Sequence, residues 1–223
     1  MAKNSNVVLA SRDIEKLNQI SDQINNDGGR SIAVKTDITN LDSCKNMLNE
    51  SVATFGKIDS LILNAGISMW ARFDSITDIS LFNNINEINY QGSVNCVYTC
   101  IDELKKSRGQ IVAITTAQAL IGFPNASAYS ASKHALHGFL ETLQMELGNT
   151  ISVSNVYLGW IKGTNLRANA LGPDGKKIGA SHHKHSNRAI DIDDCTTKIV
   201  QGIEKNRIAI FIPSFLKFIP IVK

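Results

Sequence analysis

Read by the spacing of its apolar positions, the chain alternates short hydrophobic runs with longer amphipathic stretches from end to end. Val7-Val8-Leu9-Ala10 is a continuous apolar run, the pattern of a strand buried on both faces. Ile14, Leu17, Ile20 and Ile24 then recur at helical intervals, and Gly28-Gly29 supplies a stop. A second strand is predicted over 31–35. Asn40 has the side chain to cap a helix carrying Leu41, Met47, Leu48 and Val52, which Gly56 ends. Leu61-Ile62-Leu63 reads as a third buried strand. A long helix is predicted over 81–106, closed by Gly109, and a fourth strand over 111–114. A helix over 126–147, ended by Gly148, leads to a fifth strand over 151–157. Residues 159–190 are polar and contain glycines, as expected of a mobile loop over a site. A helix over 191–204 and a strand over 207–212 complete the series.

Strands alternating with helices of this length imply crossover connections, and therefore an α/β fold with a doubly wound parallel sheet. In such sheets ligands sit at the carboxyl ends of the strands. No repeat, linker or low-complexity tract divides the chain. Residues 1–223 read as a single domain, with 208–223 as its last strand and an apolar tail.

Bulk properties narrow the classes. Hydrophobic residues at 43% and charged residues at 19% fit a folded enzyme rather than a disordered chain. A scattered net charge of +3 gives no reason to expect nucleic acid. The apolar stretch 208–222 is broken by Pro213, Lys217 and Pro220, short of the roughly 18–20 residues that cross a membrane. Its second half, SFLKFIPIVK, fits either a cover on the sheet or a peripheral membrane contact. Cys44, Cys96, Cys100 and Cys195 form no CxxC, and read as reduced thiols in a cytoplasmic setting. Cys96 and Cys100, four apart on a helix, read as packing residues. His182, His183 and His185 fall in the polar loop and read as a solvated lid, so no metal is expected.

The densest chemistry lies in Tyr129-Ser130-Ala131-Ser132-Lys133. Four apart on a helix, Tyr129 and Lys133 project from one face. A free phenol titrates near pH 10, and an ammonium beside it favours the phenolate, drawing its pKa toward neutrality. Proton exchange with an alcohol oxygen is then accessible. Upstream stand Thr115 and Thr116 at a strand end, Asn64-Ala65-Gly66 at another strand tip, and Asn89 in Asn89-Tyr90-Gln91-Gly92.

In this order and spacing the chain resembles the short-chain dehydrogenase/reductase family, from Asn6 to about Ile212. The resemblance implies a Rossmann-like oxidoreductase in which Tyr129 exchanges a proton with the substrate oxygen. Lys133 would tune Tyr129 and hold the nicotinamide ribose, Asn89 would anchor a relay water, and Thr116 would stand in for the family's usual Ser. It also implies cofactor contacts from Asn64, Ala65 and Gly66, from Asp37 with Ile38, from Tyr129 and Lys133 themselves, and from Gly159, Ile161 and Thr164 after the fifth strand. There the usual Pro-Gly reads Leu158-Gly159, and Thr164-Asn165-Leu166 comes one residue late. Ser11 stands where members preferring NAD carry an acid, and Arg12 follows it, so NADP(H) is the expected cofactor.

The branch most similar is the hydroxysteroid-dehydrogenase-like one, including the dehydrogenase/reductase family member seven group. That implies a small apolar ketone or alcohol substrate of steroid, retinoid or sphingoid type, and a homodimer or homotetramer. In the family, however, the domain opens with a strand, a TGxxxGxG turn and a helix that receives the pyrophosphate. Here residues 1–5 read as the last turn of that helix. The strand not found belongs between those of Val8 and Ile62. At roughly 1.5–3 kcal/mol per buried Val or Ile, five residues amount to about 8–15 kcal/mol, as much as the stability of a whole domain. The chain is therefore expected to be destabilised and to hold NADP(H) poorly by itself. It reads as an N-terminally truncated NADP(H)-dependent oxidoreductase. The alternative is an inactive relative acting through protein contacts. Persistence of Asn89, Thr116, Tyr129 and Lys133 favours the enzyme.

Overall fold

A computed structural model describes residues 5–147, 149–179 and 189–219. The N-terminal apolar run forms β1 (Asn6–Ser11), which pairs in parallel with β2 (Arg30–Lys35) across helix α1 (Ile14–Asn26). Asp13 caps α1 by accepting from the Lys16 N–H at 3.1 Å. Asn40 caps α2 (Leu41–Phe55) by accepting from the Ser43 N–H at 2.9 Å, and Gly56 ends it at φ 78°. A second parallel sheet follows the order β3 (Ser60–Leu63), β4 (Gln110–Thr116), β5 (Ser152–Leu158), β6 (Ala209–Ile212). Its crossovers carry α3 (Ser80–Asn86), α4 (Gly92–Ser107), α5 (Ser127–Leu147) and α6 (Ile192–Glu204).

One apolar core unites the two sheets. Val34 of β2, Cys44 and Met47 of α2, Leu63 of β3, Cys96, Cys100 and Leu104 of α4, and Ile111 and Ala113 of β4 are all buried in it. Cys96 and Cys100 pack there as expected, joined by Cys44 from the facing helix. A second cluster, including Val112, Val156, Cys195 and Ile212, lies under α6.

The expectation of strands buried on both faces is corrected at β1 and β3. Val7, Val8 and Leu9 are only half-buried, and Ile62 is 44% exposed. Each of these strands has one hydrogen-bonded neighbour among the described residues, β2 for β1 and β4 for β3, so each presents an open edge. The single long helix over 81–106 is also corrected. It is divided by a π-turn over Glu87–Gln91, and Arg108, not Gly109, takes the left-handed conformation at its end.

The loop after β5 holds more structure than its composition suggested. Leu171 bridges Met69 on one side and Lys177 on the other, and Ile178 N–H donates to Ala170 O at 2.9 Å. Residues 168–179 thus fold into a small hairpin docked on 68–71. The tail begins with a 3-10 turn over Ser214–Phe218, in which Leu216 is buried while Phe215 and Phe218 are each 54% exposed. Residues 1–4, Gly148, His182, His183, His185 and 220–223 lie outside the described residues. No helix among the described residues is long and apolar enough to cross a membrane.

Candidate active site

The carboxyl ends of β3, β4 and β5 open into a cavity of about 1210 Å³, larger than the roughly 300–1,000 Å³ of most small-molecule sites. Thr116 reaches it from the end of β4, while Tyr129 and Lys133 reach it from one face of α5. Thr115 also borders the cavity, but its hydroxyl donates to Val156 O at 2.8 Å inside the sheet. The Thr116 hydroxyl makes only a long contact, accepting from Gln118 N–H at 3.4 Å. Of the two hydroxyls, Thr116 is the one with capacity for a ligand.

Asn89 does not line the cavity. It is fully buried in the π-turn behind it, accepting from Ile67 N–H at 2.8 Å and donating to Ile67 O at 2.9 Å and Ser132 Oγ at 3.0 Å. From this turn the side chain meets the segment that follows β3. Gly66 lies between Asn89 and the cavity. A Cβ there would sit 3.2 Å from Asn89 Oδ1 and 3.5 Å from Lys133 Nζ, so the glycine lets backbone and both side chains share one place.

Arg12, Asn64, Gly66, Gly159, Ile161 and Thr164 line the same cavity. Ser11, Asp37, Ile38 and Ala65 do not. Ser11 Oγ accepts from Asp13 N–H at 3.3 Å. Asp37 accepts from Thr39 N–H and from the Thr39 hydroxyl, which hold its carboxyl below the usual range, with the Arg12 guanidinium adding to the effect. Ile38 packs toward Gly92 and its carbonyl accepts from Asn95 Nδ2 at 2.9 Å. Sequence reasoning missed other lining residues of this cavity, Trp70, Phe123, Trp160, Arg167 and Leu171. No local spacing signals these residues, because they come from separate loops.

A family model described as short chain dehydrogenase matches residues 1–173. The chain belongs to the short-chain dehydrogenase family. Among curated relatives of this short-chain dehydrogenase are 11-beta-hydroxysteroid dehydrogenase-like 2 and 3 of Arabidopsis thaliana. They are 33% and 32% identical over 99% of this chain, and the matches cover 70% and 69% of those proteins. Its fold is that of a solved short chain dehydrogenase/reductase from Burkholderia phymatum in complex with NAD (TM-score 0.81, 20% identity, 96% of this chain and 82% of that one). An alcohol dehydrogenase from Thermococcus sibiricus, complexed with 5-hydroxy-NADP, superposes with TM-score 0.78 at 18% identity, covering 94% and 85%. The chain is thus an oxidoreductase with a Rossmann-type α/β sheet.

Electrostatics at the centre of this short-chain dehydrogenase are governed by burial. Tyr129 is 6% and Lys133 4% exposed. Dehydration penalises charge on each, pushing the Tyr129 phenol up to about 12 and drawing the Lys133 ammonium down to about 8. The expected pull of Lys133 on the phenol toward neutrality does not enter: burial alone sets the direction of the shift. Lys133 Nζ donates to Ile114 O at 3.4 Å. The Tyr129 hydroxyl has no hydrogen-bond partner among the described residues, and it borders the cavity. Among those residues no group of three or more His, Cys, Asp or Glu gathers as a metal site would.

Proposed function

We propose that this chain is an NADP(H)-dependent oxidoreductase that interconverts a secondary alcohol and a ketone on a lipid-like substrate. The observation that carries the reading is the meeting of Thr116, Tyr129 and Lys133 in one cavity that is also lined by Met69, Trp70, Phe123, Trp160 and Leu171. The bound nicotinamide would supply or accept the hydride. In the reducing direction Tyr129 keeps its proton at neutral pH and donates it to the carbonyl oxygen, while Thr116 Oγ1 donates a hydrogen bond to the same oxygen. Lys133, fixed by burial and by Ile114 O, steadies the phenolate that remains. Asn89 holds 66–67 in position through both polar atoms of Ile67.

The residues suit a dinucleotide at both ends. Arg12 and Lys16 offer cations at the β1–α1 turn, and Gly66 allows close backbone approach beside Lys133. With Ser11 in place of an acid, Arg12 favours the 2′-phosphate of NADP(H). Names of relatives that include hydroxysteroid dehydrogenase-like proteins, and the aromatic and apolar lining residues, support a steroid-, retinoid- or sphingoid-type substrate. Exposed Tyr98 (70%) on α4 and Met145 (76%) on α5 favour self-association as a homodimer or homotetramer through these helices.

Cofactor choice gives the test. Arg12→Asp, with Ser11 unchanged, is expected to lower the ratio of kcat/KM for NADPH over NADH by about tenfold or more, since a guanidinium–phosphate pair is worth roughly 1.5–3 kcal/mol. Steady-state kinetics with both cofactors measure it. An unchanged ratio would make Arg12 a surface residue only.

A further inference from the structure

The Tyr129 hydroxyl borders the cavity, and no hydrogen bond from the described residues fixes it there. Its ring packs in a cluster with Met69, Ala126 and Leu171. The place of the phenol therefore follows from that packing and from where the backbone of residue 129 sits.

Ser132 is bonded to that backbone. It lies three residues further along α5 and is 1% exposed. Its hydroxyl donates to Tyr129 O at 2.8 Å and accepts from Asn89 Nδ2 at 3.0 Å. Asn89 in turn holds both the N–H and the carbonyl of Ile67. An unbroken path of hydrogen bonds thus runs from the segment after β3, through two buried side chains, to the carbonyl of the residue that bears the phenol. Gly66, at the start of that path, is where an added Cβ would come within 3.5 Å of Lys133 Nζ.

Space-filling does not account for this hydroxyl. Alanine has the higher helix propensity and no polar group to dehydrate, so it is the more favourable residue at a buried helical position. A helical serine satisfies its donor by turning it back onto its own helix. The bond accepted from Asn89 is additional, and it comes from another element. Two further contacts reach the first turn of α5: Ala128 N–H donates to Met69 Sδ at 3.2 Å, and Ser130 Oγ donates to Gln118 Oε1 at 3.2 Å. A thioether is a weak acceptor. Of the three tethers, that of Ser132 is the shortest, and it is the one that ends on Tyr129.

We propose that Ser132 is a positioning residue for Tyr129: together with Asn89 it fixes the carbonyl of residue 129 against the segment after β3, and so sets where the phenol meets the reacting oxygen. The inference rests on reading Tyr129 as the proton donor. Ser132 itself does not line the cavity. A proton donor has to stand within roughly 3 Å of its acceptor, and a misplacement of about 1 Å can cost about a hundredfold in rate.

Reduction of dihydrotestosterone by NADPH, expressed per folded molecule, tests the role. Ser132→Ala is expected to lower kcat by about tenfold or more, with KM for ketone and for NADPH each held within about twofold. The solvent deuterium isotope effect on kcat should rise, because delivery of the proton has become the slow event. Ser132→Thr should recover most of the rate, since a helical threonine can keep its hydroxyl on the carbonyl three residues back. A kcat within about twofold of the natural chain, or a fall with an unaltered isotope effect, overturns the proposal and leaves Ser132 as part of the helix packing. Should Ser132→Ala fail to fold, Ser132→Cys takes its place, with nearly the same shape and a weak donor; full activity in that variant is equally fatal.

A second readout needs no turnover. The chain has four tyrosines, Tyr90, Tyr98, Tyr129 and Tyr157. With meta-fluorotyrosine in all four, the fluorine resonance that disappears in Tyr129→Phe belongs to Tyr129. Ser132→Ala should move or broaden that line and leave those of Tyr98 and Tyr157 in place. A Tyr129 line that keeps its position and width sinks the idea. If the natural chain turns over no ketone, the oxidoreductase reading fails by itself, and the fluorine line decides the placement of Tyr129 by Ser132.

Discussion

Tyr129→Phe is expected to remove at least about a hundredfold of the turnover while leaving the fold and cofactor affinity nearly unchanged. A positioned proton donor typically contributes roughly 10²–10⁴ to rate, and the Tyr129 phenol, held at about 12, is protonated throughout the neutral range. Phe keeps the ring that packs among Met69, Ala126 and Leu171. The lost hydroxyl has no protein partner among the described residues, so its removal strands no buried group, and the stability change should stay within about 1 kcal/mol. Ketone-dependent oxidation of NADPH, a fluorescence titration with NADPH and a urea melt together make the test. A variant with near-native turnover would end the assignment of Tyr129 as the acid. A large loss of stability would show instead that the phenol is structural.

Lys133→Met should do the opposite to stability, raising it on the order of 2–3 kcal/mol at pH 7 while turnover collapses. An ammonium whose pKa falls from its usual 10.5 to about 8 is disfavoured by burial, and each pKa unit is worth about 1.4 kcal/mol. The sign follows from proton binding. Below about pH 8 the native and unfolded chains both carry the proton, and the native state bears the whole cost. Between about 8 and 10.5 the native chain releases the proton and the unfolded chain keeps it, so stability of the natural protein rises with pH. Above that range both are neutral and the penalty is gone. The advantage of Met should therefore be greatest at pH 7 and fade across that interval, less a small offset for the 3.4 Å contact to Ile114 O. Denaturant unfolding of both proteins at pH 7 and at pH 10 measures it. A destabilised variant, or a pH-independent difference, would mean that the ammonium is not paying a desolvation cost. Reduction by the natural enzyme should likewise weaken as pH climbs through about 8, as Lys133 loses its charge.

Local signals in the sequence carried most of the scaffold and the centre of the site. Asn40 and Gly56 bracket α2 as their side chain and backbone freedom dictate, and the fourfold spacing of Tyr129 and Lys133 puts both on one face of α5, toward the cavity. Such features depend on a few neighbouring residues. Properties set by the whole assembly were misjudged. Apolar runs at Val8 and Ile62 implied full burial, but burial depends on how many neighbours a strand acquires, and each acquired one. The lowered phenol was inferred from a nearby charge, whereas the depth of Tyr129 decides its titration. The π-turn at Asn89 left no mark in the helical periodicity. The stack of Trp70, Arg167 and Trp160 joins three positions with nearly a hundred residues between the first and last, and no pattern along the chain announces such a meeting.

The open edge of β1 has a consequence for how firmly each end of the cavity is held. β1, α1 and β2 hydrogen-bond among themselves, and reach the larger sheet through side-chain packing and contacts such as Asn95 to Ile38 O. Units joined in this way open separately, at a lower free energy than the global transition, and their amides exchange first with solvent. Arg12 rides on that unit, whereas Lys133 is anchored in α5 at the centre of the molecule. A ligand that grips both must hold the looser unit closed, and the work of closing it is subtracted from its affinity. Closure and occupancy are then a single equilibrium, in which saturation slows exchange across β1 and β2 far more than across β4 and β5.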